Sequence, residues 1–263
     1  MRKRGLILAT AVMLFPAEPT AVQAQDGFMF GQPKAQLTLR AGPVLYKAGG
    51  DLFDFFQSEL TLDRSDFRAP AIGGDIAIVV HPRLDVALGA AWSQSESRSA
   101  SFDSSCIGTE YECTYVDTET DLPIEQTTTF RVIPVIASVR FYPLSRGRRI
   151  SELAWVPARL TPYVGGGGGV GWYRLLQSGE FVAKEIMDGE EVALIFPADL
   201  ESSGRAAVGQ LFAGVDHWFT PRAGLNVEAR YTFGSATPGY DFVGWDSIDL
   251  SGLQLGVGLA VRW

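Results

Sequence analysis

The sequence predicts an all-β fold: an eight-stranded antiparallel up-and-down transmembrane β-barrel with long extracellular loops. Apolar residues alternate with small or polar ones in eight segments of roughly ten residues, the pattern of strands with one apolar face. Long and short connections alternate between these segments, as in a barrel whose strands run up and down. No later segment has the run of about 18 apolar residues that a membrane-spanning helix needs.

The chain opens with the pattern of a secretory signal peptide, predicted at residues 1–24. The basic residues 2–4 precede a short apolar run that ends at Phe15, and small residues follow. This is the order of charge, apolar core and cleavage region in export signals, and the run is shorter than the roughly 20 residues that span a bilayer. Residues 25–263 are therefore expected to form one exported barrel domain.

The first four segments alternate as strands should. They are QLTLRAGPVLY at 36–46, AIGGDIAIVV at 71–80, RLDVALGAAW at 83–92 and FRVIPVIASVRFY at 130–142. The second and third are joined by a tight His-Pro turn. Pro43 and Pro134 lie inside strands, and because proline cannot donate a ladder hydrogen bond, each is expected to mark a β-bulge.

The other four segments complete the pattern. They are PYVGGGGGVGWY at 162–173, AAVGQLFAGVDHWF at 206–219, GLNVEARYTF at 224–233 and SGLQLGVGLAVRW at 251–263. In the last segment, the apolar residues from Leu253 to Val261 share one parity with Trp263. The five glycines at 165–169 precede no Gly-Lys-Ser/Thr and no helix, so they predict close strand packing and not a phosphate loop.

The connections differ in length at the two ends of the predicted barrel. Long ones are expected at about 47–70, 93–127, 174–205 and 234–249, and short turns follow the second and sixth strands. The connection at 143–160 is long for the short-turn end, and its role stays open.

With its signal sequence, its eight segments and its closing LQLGVGLAVRW, the chain resembles the small eight-stranded outer-membrane barrels of Gram-negative bacteria, the OmpA/OmpX/OmpW-like group and opacity-type surface proteins. The resemblance implies a multi-pass barrel in the outer membrane and an aromatic assembly signal at Trp263, with the assembly machinery as a transient partner. It also implies a surface scaffold role, in adhesion, antigenicity or envelope integrity. The alternative is a porin-like passive channel for small solutes, hydrophobic ones included.

In each strand, the residues that alternate with the apolar ones are expected to face the lumen. Its ionisable members are Arg40, Asp75, Asp85, Arg140, Asp216, Glu228, Arg230 and Arg262. Eight strands leave room only for side chains, and unpaired buried charges are costly. The balanced set therefore predicts a salt-bridged plug, with a narrow charged conduction path as the alternative.

The long loops carry a cysteine pair and many acids. In an exported protein, Cys106 and Cys113 predict a disulfide within the second long loop. The ranges 95–126 and 176–204 hold eight and seven acids against Arg98 and Lys184. These acids predict solvated, mutually repelling loops, and no calcium-loop spacing indicates a metal site.

Arginines mark the positions where strands meet the long loops. They are Arg68, Arg98, Arg131, Arg174 and Arg205. Arginine binds phosphate bidentately, so lipopolysaccharide contacts are one interpretation. The other is that these residues only mark the edge of the apolar band.

Two long loops also carry aromatic residues. Leu52, Phe55, Phe56 and Leu60 fall at helical spacing in the first long loop. They predict a short amphipathic helix that caps the barrel mouth or admits small hydrophobic solutes. In the fourth long loop, aromatics are expected at the membrane interface, at Tyr240, Phe242 and Trp245.

Composition and motifs argue against other functions. The net charge of −8 disfavours a nucleic-acid partner, which needs clustered basic residues. The histidines, His81 and His217, belong to the short-turn end, and no Gly-x-Ser-x-Gly elbow is present, so no enzyme, cofactor or metal is predicted. A soluble lipocalin-type barrel, with its apolar parity inside, remains a structural alternative.

Overall fold

The computed structural model describes residues 27–103, 106, 113–117, 120–151, 154–187 and 190–263. The predicted signal peptide at 1–24 lies outside the described residues. Eight long strands form a closed antiparallel barrel in which each strand pairs with its neighbours along the chain and the last pairs with the first. The predicted fold class is thereby confirmed.

Twelve strands are present in the described residues: β1 Ala35–Tyr46, β2 Arg68–His81, β3 Leu84–Ala100, β4 Glu125–Phe141, β5 Gly147–Arg149, β6 Trp155–Pro157, β7 Leu160–Met187, β8 Glu190–Trp218, β9 Ala223–Phe233, β10 Ser235–Ala236, β11 Ile248–Asp249 and β12 Gly252–Arg262. The barrel consists of β1, β2, β3, β4, β7, β8, β9 and β12, while β5–β6 and β10–β11 form separate two-stranded sheets. One α-helix, α1 at Asp51–Glu59, and two 3₁₀ helices, Arg64–Phe67 and Tyr240–Phe242, lie in the long connections. None of the helices in the described part of the chain is long and apolar enough to cross a membrane.

The two faces of the barrel differ sharply in polarity and exposure. Leu39 and Leu259 are opposite each other on β1 and β12, and their exposed fractions are 60% and 61%. The adjacent pair, Thr38 and Ala260, is fully buried at 0%. The same alternation runs round the ring, so the outer surface is a continuous apolar belt. A belt of this kind is stable against lipid and not against water, as in transmembrane barrels.

The first and last strands of the barrel meet on one seam. The N–H of Trp263 donates to the carbonyl of Ala35 at 3.0 Å, and the N–H of Lys34 donates to the carbonyl of Trp263 at 2.7 Å. The terminal Trp263 side chain is 55% exposed, at the edge of the apolar belt. Closure by β12 on β1 removes the last free edge from the sheet.

The third hairpin departs from the sequence prediction. The sequence predicts a loop at 174–205, but β7 and β8 stay paired without interruption from Leu160↔His217 to Met187↔Glu190. The reason is that apolar cross-strand pairs continue beyond the barrel, for example Phe181 opposite Phe196, with ring centroids 6.1 Å apart. The hairpin therefore projects well past the neighbouring strands.

The two prolines do not produce the expected bulges. The β1–β12 register is the same on both sides of Pro43, and the β4–β7 register runs straight through Pro134↔Gly171. The β3–β4 ladder skips two pairs beside Pro134 and then resumes with the same offset. Each proline is thus accommodated by the loss of local ladder bonds, without an inserted residue.

The glycine run has a packing reason. A Cβ on Gly167 would lie 2.1 Å from the carbonyl oxygen of Ala137 in β4, and one on Gly169 would lie 2.0 Å from that of Val135. A side chain cannot fit at either position unless the strands separate. The glycines at these alternate positions therefore let β7 lie close to β4.

Candidate functional site

The middle of the lumen holds five of the eight predicted ionisable residues, here called the central charge cluster: Arg40, Asp75, Arg140, Glu228 and Arg230. Asp75 pairs with Arg40 and with Arg140. Glu228 pairs with Arg40 at 3.2 Å and with Arg230 at 2.6 Å. All five side chains are buried or nearly so, and they come from four strands, β1, β2, β4 and β9. The cluster therefore ties together strands that are not neighbours in the barrel.

Polar neighbours that the sequence did not single out complete this layer. The Tyr163 hydroxyl donates to Glu228 Oε2 at 2.6 Å, and Asn226 Nδ2 donates to the Tyr163 hydroxyl oxygen at 2.8 Å. The Arg140 guanidinium lies 5.1 Å from the centre of the Tyr163 ring. Tyr163 and Asn226 occupy lumen-facing positions, but neither is charged, so a search for charged residues in the sequence does not find them.

The other three predicted lumen residues do not join the cluster. Asp85 instead binds Arg146, whose Nη1 donates to both carboxylate oxygens at 2.9 and 2.8 Å. Asp216 accepts from two amides, Asn226 at 2.6 Å and Gln36 at 3.1 Å. The hydrogen-bond donors to these two acids are therefore a residue of the 143–160 connection and two strand amides, and not the arginines of the predicted lumen set.

The 143–160 connection supplies that loop residue and closes the short-turn end. Its β5–β6 sheet places Trp155 against the segment that precedes β1, with backbone bonds to Met29 in both directions at 2.8 and 3.0 Å. The guanidinium of Arg262 lies 3.6 Å from the ring centre of Trp218 and 5.2 Å from that of Trp155. Arg262 is thus held by indole rings and by the carbonyl oxygen of Pro221, to which its Nε donates at 2.8 Å.

The lumen towards the long loops is filled by apolar side chains, here called the apolar plug. Its core residues are Val44, Tyr46, Leu52, Phe53, Phe56, Leu60, Leu62, Phe67, Phe130, Val132, Ile136, Tyr173, Leu175, Val208, Phe242, Ile248 and Leu250. Phe53 of α1 contacts Phe67 and Phe130 edge to face, with centroids 4.9 and 5.8 Å apart. Helix α1 therefore lies across the barrel mouth with its apolar side inward.

The predicted helix forms. Leu52, Phe56 and Leu60 are buried as their spacing indicated, but Phe53 takes the place of Phe55 on the buried side. Phe53 is fully buried, whereas Phe55 is 43% exposed and contacts Trp245 at a centroid distance of 4.9 Å. Phe242 is only 4% exposed and packs on Phe56 at 6.0 Å. The assignment of Phe242 to the membrane interface is therefore wrong, since Phe242 belongs to the apolar plug.

The space left inside the barrel is small. The cavity beside Arg40, Glu228 and Arg230 measures about 10 Å³, and a second one beside Arg146 and Arg262 also measures about 10 Å³. A volume of that size holds roughly one water molecule. The central charge cluster and the apolar plug thus occupy the middle of the lumen and its long-loop end.

A larger cavity, here called the mouth cavity, borders the apolar plug and lies between α1 and the β7–β8 hairpin. Its volume is about 250 Å³. Its described lining residues are Leu52, Phe55, Phe56, Glu59, Leu60, Ser101, Phe102, Tyr115, Gln177, Phe181, Val182, Phe196, Leu200, Asp241, Phe242 and Trp245. The sequence indicated the aromatics of α1, but the opposite wall belongs to a segment for which it predicts a loop.

The five rim arginines occupy the outward-facing parity of their strands. Arg131 and Arg174 are direct cross-strand neighbours on β4 and β7. Arg131 donates to Gln94 at 2.9 Å, and Arg174 makes two bonds to Glu201, both of 2.9 Å. The others are exposed, with Arg98 lying 3.8 Å from Glu125; they are Arg68, Arg98 and Arg205.

The remaining predicted residues lie apart from these features. Cys106 and Cys113 form a disulfide, with Cα atoms 5.5 Å apart. His81 and His217 are exposed at the short-turn end, on β2 and β8. Within the described ranges, no group of three or more His, Cys, Asp or Glu is placed to hold a metal ion. The acids Glu110, Glu112 and Glu119 lie outside the described residues.

Comparisons with known proteins give structural matches only. No family model matches the sequence, and no curated protein does. Solved structures that match include Neisserial surface protein A (10% identity, 87% of this chain and 97% of that one, TM-score 0.45). A major outer membrane protein from Thermus thermophilus matches at 12% identity over 87% and 99%, with a TM-score of 0.44. OprG from Pseudomonas aeruginosa matches at 14% identity over 89% and 99%, with a TM-score of 0.42. These structures are outer-membrane proteins, as the resemblance noted from the sequence implied. Because the identities and TM-scores are low, no residue role is carried over from them.

Proposed function

We propose that this chain is a non-enzymatic outer-membrane scaffold that displays acidic extracellular structure on a closed barrel. The observation that carries the proposal is the filled lumen: the central charge cluster blocks its middle and the apolar plug blocks its long-loop end. A conduction path needs continuous water, and the lumen cavities beside the cluster have room for about one molecule each. The same observation disfavours the passive channel.

The β7–β8 hairpin is the main displayed element in this proposal. From Arg174 to Met187 it extends 13 residues above the rim arginines, about 43 Å at the usual strand rise. Its sequence from 176 to 204 carries seven acids and one lysine. An extended acidic arm on a lipid-held base suits contact with basic surfaces, by attraction over a Debye length of about 8 Å at physiological ionic strength.

Lipopolysaccharide is the lipid partner that fits the rim. The five arginines face outward at the edge of the apolar belt, on the side of the long connections. Lipid phosphates at that height can therefore reach their guanidinium groups. Arg131 and Arg174 are adjacent on this surface, and a shared phosphate would relieve their repulsion. Export by residues 1–24 and delivery to the assembly machinery through the strand ending at Trp263 belong to the same proposal.

Solute release from liposomes tests the closed lumen. Refolded protein is placed in vesicles loaded with a neutral pentose or with an aromatic sulfonate. We expect both solutes to be retained as long as in protein-free vesicles. Faster release of either solute from vesicles with folded protein would overturn the closed scaffold and support a channel.

An epitope on intact cells tests the display. A tag inserted directly after Met187, in the last described pair of the hairpin, should bind antibody without permeabilisation. The matched control carries the same tag in the turn at 219–222, between β8 and β9, and should bind only after permeabilisation. The reverse pattern would mean that the barrel has the opposite orientation.

A further inference from the structure

The mouth cavity has the composition of a ligand site and not of a packing defect. Seven of its lining residues are phenylalanine or tryptophan, and one more is tyrosine; among the described residues they are Phe55, Phe56, Phe102, Phe181, Phe196, Phe242, Trp245 and Tyr115. Large exposed aromatics are unusual on a water-facing surface unless they contact something. Here Phe55 is 43% and Phe196 41% exposed.

The cavity has two walls, each made of regular secondary structure. One is α1, anchored through Leu52 and Phe56, which are 0% and 1% exposed. The other is the inner side of the β7–β8 hairpin, where Phe181 and Phe196 continue the inward parity of their strands above the barrel. A preformed cavity between such walls loses little conformational entropy when it binds a ligand.

Charge in the lining has one sign. Glu59 and Asp241 contribute carboxylates, and none of the described lining residues is lysine or arginine. Asp241 is held in place, since its Oδ2 accepts the N–H of Glu201 at 2.8 Å. A further acid, Asp51, lies on the first turn of α1, while Asp54 on the same turn is paired with Arg64 at 2.8 Å. The local potential therefore favours cations and disfavours anions.

We propose that the mouth cavity binds small amphiphilic cations, molecules with one aromatic or short alkyl body and one ammonium group. Aromatic faces attract a desolvated ammonium group, and the carboxylates of Glu59 and Asp241 complement its charge. The volume of about 250 Å³ equals that of about eight waters, which sets an upper size near that of a phenylalkylamine. This binding does not depend on the scaffold role, because it needs no path through the lumen.

Three isosteric probes separate the contributions of charge and apolar contact. Refolded protein in lipid nanodiscs, free of detergent that could occupy the cavity, is titrated with 2-phenylethylammonium, 2-phenylethanol and phenylacetate. Calorimetry gives the affinity. Because the chain has six tryptophans, the place of binding is reported by the part of the fluorescence change that is lost in Trp245→Phe. We expect saturable binding of the ammonium at least about tenfold tighter than that of the alcohol, and weaker still for the carboxylate.

Matched variants locate the charge effect. Glu59→Gln and Asp241→Asn should each reduce the preference for the ammonium over the alcohol several-fold. Asp54→Asn, on the same helix but outside the lining, should change that preference much less. Equal affinity for all three probes, or no saturable binding by any of them, would overturn the proposal. Neither result would affect the solute-release test of the closed barrel.

Discussion

Glu228 is the lumen carboxylate whose removal should destabilise the barrel most clearly. Its side chain is 1% exposed and accepts bonds from Arg40, Arg230 and Tyr163 at 3.2, 2.6 and 2.6 Å. Glu228→Leu keeps a side chain of similar size but leaves these donors without their acceptor. Removing one partner from a buried ion pair costs about 3–5 kcal/mol of stability, and we expect a loss in that range.

The charge balance of the cluster sharpens this expectation. Three guanidinium groups face two carboxylates, so Glu228→Leu leaves three against one. Arg230→Met leaves two against two, and Arg230 is also the more exposed residue, at 12%. The arginine variant should therefore lose less stability than the glutamate variant, although each breaks the same 2.6 Å contact.

Urea unfolding of the refolded protein in lipid vesicles, followed by tryptophan fluorescence, measures these differences. The control is Glu201→Gln, which removes a surface pair with Arg174 of similar geometry and should cost less than about 1 kcal/mol. If Glu228→Leu unfolds within about 1 kcal/mol of the unmodified protein, the cluster does not hold the barrel walls together. A larger loss for Arg230→Met than for Glu228→Leu would refute the argument from charge balance.

Three further predictions concern backbone packing, the cap and pH. Gly167→Ala should lower the free energy of unfolding by about 1–3 kcal/mol or more in the same assay, because its Cβ meets a backbone oxygen at 2.1 Å. Gly168→Ala, whose Cβ has its nearest atom at 3.5 Å, should lower it much less, and equal losses would contradict the packing reason. Phe53→Ala should cost about 3–5 kcal/mol, since the ring is fully buried, and unchanged stability would show that α1 does not seal the mouth. The pKa of the Asp51 carboxyl is raised above its ordinary value of 3.8, chiefly by its hydrogen bond with Asp246 and by repulsion from it. The hydrogen bond is therefore complete below pH 3.8 and is lost as the pH rises through the raised pKa of Asp51. Asp246→Asn should return the pKa of Asp51 towards 3.8 in an NMR titration, and an unchanged pKa would exclude Asp246 as the cause.

The order of residue types along the chain was enough to assign side chains to lipid or to the lumen. Strand residues alternate with a period of two, and a lipid-facing position tolerates only apolar side chains, so the pattern reports the face directly. Leu39 and Leu259 could be assigned to the outer surface in this way, and Arg40 and Glu228 to the lumen. The same alternation predicted the number of strands and the closure of the last strand on the first.

Which lumen groups meet, and where the strands end, depends on the folded chain. Arg146 reaches Asp85 from a connection 61 residues away, and no strand parity encodes that approach. The β7–β8 hairpin extends beyond the lipid-facing belt, where side chains need not alternate between apolar and polar. Strand periodicity therefore did not predict its pairing up to Met187↔Glu190. The mouth cavity needs α1 and this hairpin together. The two are distant in sequence, and their aromatic faces meet only because the closed barrel brings both connections to the same end.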